Sequence, residues 1–276
     1  MLQSYFPILL ATGAGAGFAS GLLGVGGGFI IVPIIYWVIA AMGVPPTTAI
    51  RIAFGTSLLV ILPTVISGTW KHNKKRAVRW KTALILGPCG LIGALVGATL
   101  AAHFPGDVLE IGFGGLVLAI ALWMGLGGTP KLTKAQGYSA MASPPPKDAF
   151  WLMCAFGFPT GIVTGLTGLG GGVLIVPALV LALNFPMHMA VGTSVASIIF
   201  TSLGGIIGYI INGIGLSPLP YSVGYVNLPI WLCLAATSIP LAQLGARAAH
   251  ALPAKQLRYI FIAVMVYIGL KMLAVF

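Results

Sequence analysis

The chain has 276 residues, 58% of them hydrophobic and only 6% charged, where a soluble domain carries about 25% charged residues. From Ala149 to Ala246 there is no Asp, Glu, Lys or Arg at all. Water cannot solvate such a surface, so a soluble fold is excluded and the composition specifies an all-α, polytopic helical membrane protein.

The 14 Lys and Arg face only three acids, Asp107, Glu110 and Asp148, for a net charge of +11. Six of the basic residues fall between Lys71 and Lys81, as they do in a cytoplasmic loop under the positive-inside rule. No basic face recurs elsewhere, so nucleic acid is not the partner. Proton and sodium relays commonly use intramembrane carboxylates, and all three acids here sit in or beside polar breaks. The balance disfavours carboxylate-driven cation transport and suits an anion path.

In chain order, the first half presents apolar spans over 5–23, 28–42, 47–69, 82–102 and 109–127. No Lys or Arg precedes Arg51, so the first span lacks the basic flank of a secretory signal and reads as a membrane segment of the mature protein. A polar linker, 128–149, carries Lys131, Lys134 and the run Pro144-Pro145-Pro146-Lys147-Asp148 and divides the halves. The second half offers 150–167, 172–184, 190–211, 228–249 and 258–275. Spans 28–42 and 172–184 are shorter than the ~20 residues a crossing helix needs, so the glycine clusters beside them predict broken or re-entrant helices. Trp37, Trp70, Trp80, Trp123, Trp151 and Trp231 lie near span ends, as aromatic belts do.

The halves repeat. The run from Gly17 to Pro33, with Gly21, Gly24, Gly26, Gly27, Gly28 and a closing Ile-Val-Pro, can be laid over the run from Gly161 to Pro177. All six glycines and the hydroxyl pair Ser20/Thr164 match without a gap. Ala53-Phe54-Gly55-Thr56-Ser57 answers Ala190-Val191-Gly192-Thr193-Ser194. The basic loop 70–81 corresponds to 212–227, which has no Lys or Arg, whereas the acidic 103–110 corresponds to 247–258, which holds Arg247, Lys255 and Arg258. Equivalent loops therefore fall on opposite sides of the membrane. The reading is two inverted-topology repeats of about five segments each, 1–127 and 150–276, with both termini outward.

Neither glycine cluster follows a strand or precedes the Lys-Ser/Thr of a nucleotide loop. Three glycines unwind a membrane helix, and where it resumes its N-terminal N–H groups attract anions. Gly26, Gly27 and Gly28 with Gly170, Gly171 and Gly172 are the first candidates for a substrate site, the alternative being close helix packing, which Gly13, Gly15, Gly17 and Gly21 fit better. Thr56, Ser57, Thr193 and Ser194 are the second, as hydroxyls that donate without a permanent charge; the competing use is a bond to a backbone carbonyl. Arg51 and His188, four residues ahead of these triplets, are candidates for anion attraction or gating. His103, His250 and Lys271 read as interfacial. Cys89, Cys154 and Cys233 are isolated, with no metal-ligand spacing; packing is the default, with a thiol role for Cys89 or Cys154 left open.

The paired Gly-x-x-x-Gly-x-x-Gly-x-Gly-Gly-Gly…Pro motifs, each followed by Ala-x-Gly-Thr-Ser, resemble the sulfite exporter TauE/SafE family of membrane permeases, and the resemblance spans essentially the whole chain. It implies export of sulfite or a small organosulfonate across the bacterial cytoplasmic membrane, with no cofactor and no catalytic site. The expected partners are a small anion and the lipid bilayer, with a homo-oligomer compatible. Thiosulfate or another small anion is the alternative cargo, and a non-transporting membrane assembly factor the alternative class. An enzyme is disfavoured by the scattered His, the unpaired Cys and the few acids.

Overall fold

The computed structural model describes residues 2–125, 149–181, 183, 185–248 and 254–273. The linker therefore lies outside the described residues except for Ala149, which opens a helix.

Among the described residues, ten α-helices follow the apolar runs: α1 (Phe6–Leu23), α2 (Gly28–Ala41), α3 (Pro46–Lys74), α4 (Trp80–His103), α5 (Gly106–Gly125), α6 (Ala149–Thr167), α7 (Gly172–Leu181), α8 (Met187–Gly213), α9 (Leu228–Ala248) and α10 (Ala254–Met272). Seven of them are long and apolar enough to cross a membrane, while α2 and α7 have only 14 and 10 residues. This is a polytopic helical membrane protein. Two departures from the sequence expectation matter. The helix expected over 47–69 runs on to Lys74, leaving only 75–79 of the basic loop outside helix. A two-stranded hairpin, β1 (Ser222–Val223) and β2 (Val226–Asn227), lies in the segment between α8 and α9.

The helices interleave. Helix α1 packs on α9 and α6 on α4, in both cases through small residues four apart. A Cβ on Gly13, Gly17 or Gly21 would fall on the backbone of Leu234, Ser238 or Ala242, and one on Gly157, Gly161 or Gly165 on that of Leu86, Gly90 or Ala94. Lipid offers no hydrophobic drive for helix association, so such backbone approach, with its dispersion contacts, holds the pairs. Gly15, on the same helix, would meet nothing within 4 Å; it plays no part in the seam.

Helices α3 and α8 form the centre, with 72% and 67% of their spans buried against 33–44% for the other five. They run antiparallel, with Phe54 beside Tyr209, Leu58 at Gly205 and Gly68 at Val195. At the end where α3 begins, Phe54 also stacks on Phe113 of α5, centroids 5.9 Å apart. Helix α5 pairs in turn with α10, where a Cβ on Gly269 would meet Leu118.

Candidate functional site

Helix α1 ends at Gly24 (φ 72°) and α6 at Gly168 (φ 67°), both left-handed caps whose amides bond back to Ser20 and Thr164. Gly26 and Gly27 (φ 91° and 77°) and Gly170 and Gly171 (φ 83° and 81°) then turn the chain into α2 and α7. This region of backbone space costs a side-chain-bearing residue roughly 1–2 kcal/mol, so the glycines at these six positions are conformational necessities. The two breaks cross at contact distance. A Cβ on Gly28 would lie 2.6 Å from the Gly168 carbonyl oxygen, and one on Gly172 would strike that of Gly24.

The carbonyls and amides of the breaks have different fates. Ser194 Oγ donates to the Gly24 carbonyl at 3.3 Å, and Ser57 Oγ donates to the Gly168 carbonyl at 3.1 Å. Each serine thus pins the break of the other half. The Gly27 and Gly171 carbonyls accept from the first turns of α2 and α7, and Thr201 Oγ1 donates to the Gly170 carbonyl at 3.2 Å. The backbone N–H groups of Gly26, Gly27 and Gly28, and of Gly170, Gly171 and Gly172, donate to nothing among the described residues. All six glycines are buried. Native proteins almost never leave buried amides unpaired, and here two sets of three stand at helix N-termini, where the macrodipole adds partial positive charge. The Ile61 side chain lies against both breaks, and that of Ile198 against Gly170 and Gly172. The arrangement provides several N–H donors in a water-poor setting and no fixed counter-charge.

The threonines do something else. Thr56 Oγ1 accepts the amide of Asn227 at 3.0 Å, and Thr193 Oγ1 accepts that of Arg79 at 3.0 Å. Both donors end a non-helical strap, 220–227 or 75–79, that enters α9 or α4. The straps follow one plan. A residue with positive φ (Gly224, 59°; Arg76, 55°) precedes Tyr225 or Ala77. The carbonyl of Tyr225 packs on Gly55 and that of Ala77 on Gly192. In Gly-Thr-Ser, then, glycine admits the strap, threonine bonds it and serine holds the opposite break. Thr56→Val should orphan the buried Asn227 amide and cost about 1–3 kcal/mol, measured as a lower unfolding temperature of the purified protein; Thr193→Val, at a part-buried amide, should cost less.

Arg51 and His188 are not brought together. His188 is exposed on the first turn of α8, at the opposite end of the α3/α8 pair. Arg51, one turn into α3, clips its own end of the bundle: Nη1 donates to the Tyr225 hydroxyl at 3.3 Å and Nη2 to the Phe104 carbonyl at 2.9 Å. Its Nε is buried without a partner, as is Oε1 of Glu110. The two fall at one level of the parallel α3/α5 pair, between the contact of Gly106 with Thr47 and the stack of Phe113 on Phe54.

Sequence reading missed Thr201 and Ser202. Ser194, Ser197 and Thr201 recur at helical spacing on α8, a signal present in the chain. Ser202 is fully buried with no partner for its hydroxyl.

The model of the Sulfite exporter TauE/SafE family matches residues 9–272. A "Probable membrane transporter protein" of Methanocaldococcus jannaschii is 30% identical over 97% of this chain and 95% of its own length. One of Haemophilus influenzae is 28% identical over 98% of both chains. The "Probable membrane transporter protein YunE" of Bacillus subtilis is 32% identical over 75% of this chain and 79% of its own. No solved structure matches the chain significantly. With both glycine breaks and both Gly-Thr-Ser triplets inside the matched range, the chain belongs to the sulfite exporter TauE/SafE family of membrane transporters.

Proposed function

We propose that this transporter exports a small sulfur oxyanion, sulfite or an organosulfonate, from the bacterial cytoplasm through the crossing of its two glycine breaks. The observation that carries the reading is the set of six buried, unbonded glycine amides at the α2 and α7 N-termini. A tetrahedral or pyramidal oxyanion presents several acceptors and negative charge, the complement of such donors. The reading also takes the halves 1–127 and 150–276 as inverted repeats. Reciprocal use of Ser57 and Ser194, of Thr56 and Thr193, and of the α1/α9 and α6/α4 seams supports that relation.

Direction follows from charge. With the cytoplasm negative, each negative charge leaving gains ~2.3 kcal/mol per 100 mV, so export needs no carboxylate relay. The basic end, with Lys71, Lys74, Lys75, Arg76 and Arg79, faces the cytoplasm and collects anions. Arg51 attracts or gates them at the outer end. Rocking of the halves about the crossing alternates access.

The test is sulfite efflux from proteoliposomes, with organosulfonates and thiosulfate as parallel cargoes. Ser57→Ala with Ser194→Ala frees both pinned carbonyls to turn and compete with the amides. Flux should fall at least tenfold while the protein stays folded. Wild-type flux in the double variant, or no anion flux in the parent protein, would end the reading.

A further inference from the structure

Cys89 and Cys154 are far apart in sequence, yet the packing of α4 on α6 sets their sulfurs 2.9 Å apart, as free thiols. The closeness is imposed by the seam. Gly157 approaches the Leu86 carbonyl at 2.7 Å and Cys89 Cβ at 3.3 Å, measured from where its own Cβ would stand. Gly90 and Gly93 continue the contact toward Gly161 and Phe158. This backbone-to-backbone seam sets the two thiols side by side. The pair is half-buried on the outer surface of the bundle, among exposed Leu84, Pro88, Ile92, Trp151 and Phe158. An uncharged reagent can reach it through the lipid.

We propose that Cys89 and Cys154 are a redox modification site, a dithiol that closes to a disulfide between the two halves of the chain. The oxidant is a small uncharged peroxide. One sulfur attacks the O–O bond and becomes a sulfenic acid, releasing one oxygen as water. The second thiol then displaces the sulfenic oxygen as a second water, and the S–S bond forms. Two thiols and one peroxide give one disulfide and two waters, with two electrons passing from sulfur to oxygen. Two molecules of a small thiol return the pair to thiols by thiol–disulfide exchange, leaving joined as their own disulfide. The bond bridges 65 positions of sequence, restricting the unfolded chain and stabilising the fold. The glycine breaks take no part in it, so the inference stands apart from the transport reading.

The experiment treats the full-length protein in lipid nanodiscs with hydrogen peroxide, alkylates the remaining thiols, digests, and analyses the peptides by mass spectrometry. A peptide pair joined through Cys89 and Cys154 is expected, with Cys233 alkylated as in the untreated protein. The oxidised protein should melt several degrees above the reduced one. Cys89→Ser, at a site with lipid on one side, should fold, give no linked pair and show no such shift. Overoxidised but unlinked Cys89 and Cys154, a link through Cys233, or linked protein melting no higher than reduced protein would each overturn the proposal.

Discussion

Gly28→Ala is expected to abolish anion flux in protein that still folds, the largest effect foreseen from a single methyl group. Gly28 opens α2 with an ordinary helical backbone, so alanine brings no φ strain there. Its Cβ would stand 2.6 Å from the Gly168 carbonyl oxygen and 2.8 Å from Leu169 Cα. Neither is a flexible side chain, so one break must move away from the other. Overpacking of this kind costs about 1–3 kcal/mol, tolerable for a protein of this size. The amide sets would no longer converge, and displacement of that order costs catalysts and carriers far more in rate than in stability. Efflux from proteoliposomes should fall to the protein-free background while the melting temperature drops by a few degrees. Gly15→Ala is the matched control, since its methyl meets nothing within 4 Å; flux should be unchanged. Normal flux from Gly28→Ala would remove the crossing from the transport path.

The second large effect concerns the strap at the Arg51 end. Asn227 is 3% exposed and its side chain makes three hydrogen bonds. Nδ2 donates to the Pro220 carbonyl at 3.2 Å and to Ser222 Oγ at 3.0 Å, and Oδ1 accepts the Ile230 amide at 3.1 Å. It closes the hairpin and caps α9 at once. Asn227→Ala should cost about 2–4 kcal/mol, from three bonds at roughly 1 kcal/mol each plus buried groups left unpaired. A thermal or denaturant melt measures this directly. A loss below about 0.5 kcal/mol would mean that water or a shifted loop replaces the side chain, and that the strap is not held by it. Because Asn227 also presents its amide to Thr56, flux should fall with stability.

Much of the helical layout was legible because apolar runs and Gly/Pro breaks are local signals. The span expected over 28–42 is the helix Gly28–Ala41, and of the glycines read as break formers Gly26, Gly27, Gly170 and Gly171 carry positive φ, while Gly28 and Gly172 open the helices that follow. Gly13, Gly17 and Gly21, read as packing residues, lie in the α1/α9 seam, though Gly15 does not. What could not be read was partnership. Helical periodicity says which residues share a face, not which distant helix that face meets. Hence the bonds of the triplets' serines and threonines to backbone delivered from the opposite half could not be foreseen. The same gap hid the Cys89/Cys154 pair, since each thiol has only apolar neighbours along its own helix. The hairpin at 222–227 escaped because two-residue strands leave no alternating pattern long enough to detect.

The interleaving of α1 with α9 and of α4 with α6 has a consequence for how the chain is made. Synthesis delivers α1 to α5 first, yet the glycine seams of α1 and α4 have no partner until α6 and α9 enter the membrane. The first half therefore completes insertion well before it can complete packing. During that interval its small-residue faces and its unwound Gly24–Gly27 segment are bare to lipid, where unpaired backbone groups are costly. Assembly is then a late, concerted event gated by the arrival of the last helices. The crossing of the two glycine breaks waits for α6 and α7, and the α1/α9 seam, made over a longer stretch of chain, waits for α9.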